Sequence, residues 1–142
     1  MGRTLDDATR QYLAAFEETT GSTGVDCLLE DTDDRRVVIV VSSGQIAEAI
    51  GPGGRTVKRF EERVEMAVRL IEDADEPETF VANTLAPAAV YNVTISENDD
   101  TVAYVEVASE DRGVAIGSDG RTIETARRLA DRHFGIDDIQ LV

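Results

Sequence analysis

Apolar positions run along the chain in two rhythms, one of period three to four and one nearly continuous, and the rhythms come in the same order twice. Leu5, Ala8, Tyr12, Leu13 and Phe16 fall mostly at spacings of three and four, which predicts an amphipathic helix ending at Gly21. Residues 25–30 and 36–42 are apolar enough for strands, and Asp31-Thr32-Asp33-Asp34 between them has turn composition. A helix follows from Ser43, a capping residue type, through Ile46 and Ile50. The glycines at 51–54 break it, and residues 56–65 resume a helix with Val57, Phe60 and Val64 facing inward. Residues 68–71 read as a closing strand.

The second half predicts the same succession. Pro77 suits the first turn of a short helix that carries Phe80, Val81 and Leu85 and stops at Pro87. Residues 90–96 and 101–108 form a hairpin around Glu97-Asn98-Asp99-Asp100. Helices over 110–116 and 122–134 flank a second glycine turn, Gly135 ends the last one, and 136–142 is the final strand. Each half is therefore an α+β layer, three strands with helices on one face.

The repeat is also literal. Ala49-Ile50-Gly51-Pro52-Gly53-Gly54-Arg55-Thr56-Val57 returns 66 positions later as Ala115-Ile116-Gly117-Ser118-Asp119-Gly120-Arg121-Thr122-Ile123, and seven of the nine positions are identical or exchange only Val for Ile. The seam falls near Ala74-Asp75-Glu76-Pro77, which predicts one domain over residues 1–75 and another over 76–142.

Gly-x-x-Gly joins two helices in both copies, so bare backbone can approach a ligand and the N–H groups of the following helix can meet an anion. Arg55, Lys58 and Arg59 follow the first turn and Arg121, Arg127 and Arg128 the second, six of 14 basic residues in all. The alternative is a tight helix–helix corner with no ligand, and its recurrence in the same context speaks against that. Other phosphate motifs fail on spacing. A Walker A loop needs four residues between its glycines and then Lys-Ser/Thr, and a dinucleotide fingerprint needs a strand directly before its glycines.

Composition narrows the chemistry further. The 142 residues hold one cysteine, Cys27, and one histidine, His133, leaving no cluster of soft metal ligands and predicting neither metal nor cofactor. Cys27 reads as a core residue, and His133 suits a helix C-terminus. Pairs such as Asp33-Asp34, Asp99-Asp100 and Asp137-Asp138 fall in turns and read as solvated surface, and Ser42, Ser43 and Ser109 have no base at motif spacing. No catalytic constellation emerges, and the chain does not read as an enzyme. No apolar run is long enough to cross a membrane, and Met1-Gly2-Arg3-Thr4 opens no signal peptide, so a cytoplasmic location is expected.

Charge first argues against nucleic acid. There are 29 acidic residues against 14 basic, a net charge of −15, yet Lys58 is the only lysine and the acids are spread along the whole chain. That is the composition of a protein adapted to high internal salt; an acidic mesophilic protein is the alternative. At about 1 M salt the Debye length is about 3 Å, and net charge no longer decides which partners approach.

The paired Ile-Gly-x-x-Gly-x-x-Ile/Val turns resemble the KH domain, whose GXXG loop clamps the backbone of single-stranded nucleic acid. The helix–strand–strand–helix–helix–strand order is similar to the type II form of that fold, and two such units in tandem resemble the archaeal NusA-type transcription factors. The resemblance implies clamps at Gly51, Pro52, Gly53 and Gly54 and at Gly117, Ser118, Asp119 and Gly120, with Arg55, Lys58, Arg59 and Arg121 beside them. Family loops usually carry a basic residue in the middle pair; here those pairs are Pro52-Gly53 and Ser118-Asp119. Ile46, Ile50, Val114 and Ile116 are candidates for an apolar groove that receives bases. The implied partner is single-stranded RNA, with RNA polymerase as a possible second, in elongation or termination of transcription. A protein-interaction module docking on polymerase or ribosomal proteins, with little RNA binding of its own, is the other reading.

Overall fold

The computed structural model describes residues 5–31 and 34–142. Its contacts divide the chain into two compact units, with the break between Asp73 and Ala74. The expectations for Met1–Thr4, and for Thr32 and Asp33 in the first turn, lie outside the described residues.

The first unit begins with α1 (Asp7–Thr20). Asp6 caps it by accepting the Thr9 N–H at 2.9 Å, a bond that also holds the Asp6 carboxyl below its usual pKa. Gly21 ends the helix in the left-handed region at φ 74°, donating to the Glu17 carbonyl. β1 (Gly24–Glu30) pairs antiparallel with β2 (Arg36–Val41), and β2 pairs parallel with β3 (Ala67–Glu72), giving the order β1-β2-β3. A parallel pair needs a crossover, and α2 (Ile46–Ile50) with α3 (Arg55–Val64) supply it. Val37 through Val41 are all fully buried, which explains why this central strand is apolar without alternation. Leu13 and Phe16 of α1 meet Ile39 and Phe60 in the core, where Phe16 and Phe60 pack edge to face with ring centres 5.4 Å apart.

The second unit repeats this plan. It runs α4 (Pro77–Leu85), β4 (Val90–Glu97), β5 (Thr101–Val107), α5 (Arg112–Ile116), α6 (Arg121–Phe134) and β6 (Asp138–Leu141). The sheet order is β4-β5-β6, again antiparallel and then parallel. Its main core cluster is aliphatic, with Val81, Leu85, Ala103, Val105, Ala126, Ala130 and Ile139, and Phe80 is fully buried as well. His133 stacks on Phe80 with ring centres 4.8 Å apart, a packing role. Cys27 is buried in the first core. Both units are α+β with three strands and helices laid on the sheet, as the pattern predicts.

Three boundaries differ from the pattern by two residues or more, and beside each a side chain is engaged elsewhere. Ser43 does not cap α2. The helix starts at Ile46, and Gln45 before it uses its side-chain oxygen to accept the Thr23 N–H at 2.6 Å. The helix expected over 110–116 opens as a 3-10 turn, Ser109–Asp111, because the Asp111 carboxylate accepts the Ala89 N–H at 2.8 Å. The last strand begins at Asp138 rather than 136, since Asp137 is occupied with the backbone of Thr101 at 2.8 Å in both directions.

Candidate nucleic-acid interface

In both units a 3-10 turn, Pro52–Gly54 or Ser118–Gly120, joins the two crossover helices. Gly51 and Gly117 lie at φ 76°, ψ 171° and φ 81°, ψ 171°, a region that only glycine occupies without strain. Next come Gly53 and Asp119 at φ 61° and 55°, then Gly54 and Gly120 at φ 77° and 75°. Sequence identity has become identity of backbone path.

The glycines do two different jobs. A Cβ on Gly51 would lie 2.6 Å from Thr56 Cβ and 3.0 Å from Thr56 N, and one on Gly117 would lie 2.8 Å from Thr122 Cβ. These first glycines let the loop fold back onto the next helix. A Cβ on Gly53, Gly54 or Gly120 would meet nothing within 4 Å, so the far side of each loop is open to a ligand. Backbone bonds tie the turn down: Gly51 donates to Ala47, Gly54 to Gly51, and their counterparts Gly117 and Gly120 do the same at matching lengths of 2.9 and 3.0 Å. Gly54 and Gly120 are the N-caps of α3 and α6 and bring no side chain to the first-turn N–H groups. Thr56 and Thr122 repeat five residues after the first glycine of each loop, but only the folded turn shows that they fill the space a Cβ there would need.

Around the loops the two units part company. In the first, Pro52, Arg55, Thr56, Lys58, Arg59 and Glu62 line an open groove of about 560 Å³. Spacings of three and four put Arg55, Lys58, Arg59 and Glu62 on one face of α3. The Arg55 guanidinium leans on the loop through a 3.2 Å bond from Nε to the Pro52 carbonyl, and Lys58 and Arg59 are exposed. In the second, the positions matching Lys58 and Arg59 hold Glu124 and the buried Thr125. Arg121 is half-buried at the start of α6, and Ser118 and Asp119 are exposed.

Arg127 follows the second turn in the sequence, but its side chain is engaged elsewhere. It donates to Glu124 at 2.6 Å and to the Ile139 carbonyl at 3.0 Å, and its Nε lies 2.9 Å from Asp138. It fastens α6 to β6 and is turned away from the loop. The apolar candidates are brought beside the loops: Ile50 and Ile116, directly before the glycines, are each 40% exposed, Val114 is exposed and Ile46 is half-buried. Among the described residues no group of three or more His, Cys, Asp or Glu could hold a metal ion, and no helix is long and apolar enough to cross a membrane.

Residues 77–142 match the family described as "NusA-like second KH domain", and residues 10–75 match "KH domain". A protein of Halobacterium salinarum named "Probable transcription termination protein NusA" is 60% identical over 137 residues, 96% of each chain. One of the same name from Halococcus morrhuae is 58% identical over 97% of each. This chain belongs to the archaeal NusA-type family. A solved chain titled "Crystal structure of APE1850" shares the fold at TM-score 0.82 and 24% identity, over 97% of this chain and all of that one. As a NusA-type factor with haloarchaeal relatives, the chain carries the acidic, lysine-poor composition of a halophile for the reason its charge pattern suggests. Each GXXG turn lies inside one of the two family matches, 51–54 in that over residues 10–75 and 117–120 in that over 77–142.

Proposed function

We propose that this NusA-type factor is a single-stranded RNA-binding protein of transcription elongation and termination, and that it holds RNA through its GXXG loops, chiefly the first. The observation that carries this reading is the open loop at Pro52, Gly53 and Gly54, bordered by a groove whose cations are Arg55, Lys58 and Arg59. The sugar–phosphate backbone lies along the bare glycines, close enough for loop and helix N–H groups to meet phosphate oxygens. Arg55, Lys58 and Arg59 supply charge-assisted hydrogen bonds at short range, where salt screens least. Bases turn toward the apolar edge at Ile50. The second loop offers the same backbone at Gly117, Ser118, Asp119 and Gly120, with Arg121 beside it, and contributes less phosphate binding. Binding and positioning make up the whole mechanism, with no bond made or broken.

Anisotropy of a fluorescent single-stranded RNA pool, titrated with the whole chain in low and in multimolar KCl, tests this. Gly53→Asp with Gly54→Asp puts two carboxylates at the N-terminus of α3 and should weaken binding by about tenfold or more. Binding that is absent in wild type, or unchanged in a variant whose circular dichroism is native, overturns the proposal and favours a protein-docking role.

A further inference from the structure

The left-handed apex residue is Gly53 in the first loop and Asp119 in the second. Few residues adopt this conformation, and aspartate is among those that tolerate it. Asp119 is exposed, and among the described residues its carboxylate makes no hydrogen bond or ion pair. Gly120 behind it brings no side chain to cap α6, and the space around it is open. The cationic helix face of the first unit is interrupted here, with Glu124 in place of Lys58 and a buried threonine in place of Arg59.

A carboxylate accepts hydrogen bonds and donates none, and a phosphate diester does likewise, so Asp119 repels phosphate, and any hydrogen bond it makes to a bound strand is to a donor. On the backbone of a single strand the only donor is the ribose 2′-hydroxyl, which DNA lacks. Building on the RNA-binding reading above, we propose that Asp119 accepts a hydrogen bond from a ribose 2′-hydroxyl and makes the second loop the element that tells RNA from DNA. The first loop, with no acceptor side chain at its apex, holds phosphate without that distinction.

The test uses the whole chain and three oligonucleotides of one base sequence: ribose, 2′-fluoro and deoxyribose. Donors on the bases cancel between them, and the 2′-fluoro sugar keeps the ribose pucker while losing the donor. Wild type should prefer ribose to 2′-fluoro by about fivefold to tenfold. Asp119→Gly, which keeps the left-handed backbone, should abolish that preference whatever happens to the absolute affinities. Asp119→Asn, which retains a side-chain acceptor and also tolerates the left-handed region, should keep most of it. A preference missing in wild type, or equal gains on ribose and 2′-fluoro in both variants, would show repulsion alone and overturn the inference. Loss of affinity for all three strands in Gly53→Asp with Gly54→Asp supports the underlying RNA reading separately. A wild type that binds none of them removes that reading, and this inference with it.

Discussion

Gly51 and Gly117 are the positions where one added carbon does most harm. Each combines a backbone region closed to other residues with a Thr side chain in the place of a Cβ. Gly51→Ala or Gly117→Ala should cost about 2–4 kcal/mol in denaturant unfolding, through strain and the shift of Thr56 or Thr122. Gly53→Ala meets no neighbour and bears only the strain of its positive φ, about 1 kcal/mol, so its effect should appear in RNA affinity before stability. A plain repeat search finds all of these glycines. It does not divide them into folding and binding roles, because the division depends on what lies across the turn, and that is set by the return of the helix.

At the scale of elements, the succession of helices and strands was legible because each buries one face and its period shows in the residue types. The burial of β2 throughout shows as five consecutive β-branched residues. The misplaced boundaries belong to Gln45, Asp111 and Asp137, whose partners lie 22, 22 and 36 residues away, beyond any local pattern. Arg127 lies close to the second loop along the chain, but six helical steps from Arg121 place it about 240° around α6, on the β6 side. Arg59, four steps from Arg55, stays within about 40° of it on the groove face. The two arginines should therefore separate on mutation. Lys58→Glu with Arg59→Glu should lower RNA affinity by about tenfold with stability nearly unchanged, read by anisotropy and thermal melting. Arg127→Ala should cost about 1–2 kcal/mol in stability and leave affinity for RNA as it was.

Over the whole molecule, a net charge of −15 is a load that the two units share between them. Mutual repulsion of carboxylates opposes the compact state when the Debye length is long and fades when it falls to a few ångströms. Raising KCl from about 0.1 M to about 3 M should therefore raise the melting temperature, and calorimetry at several concentrations checks it. The same screening separates the proposed binding site from the rest of the surface. Long-range repulsion of RNA vanishes in salt, while the short contacts proposed at Gly53, Gly54 and Arg55 would remain, so affinity should fall less steeply with salt than for a basic protein of the same fold. Acidic composition, which taken alone argues against nucleic acid, is in this setting compatible with it.

Backbone amide and methyl NMR spectra of the whole chain, recorded as single-stranded RNA is added in multimolar KCl, test the central claim most directly. The account predicts that the largest shifts fall on Gly53, Gly54, Arg55 and Lys58 and on the Ile50 methyls, with smaller ones at Asp119 and Gly120. Shifts concentrated on the exposed side of β4 and β5, around Tyr91 and Tyr104, with the loop amides unmoved, would contradict it.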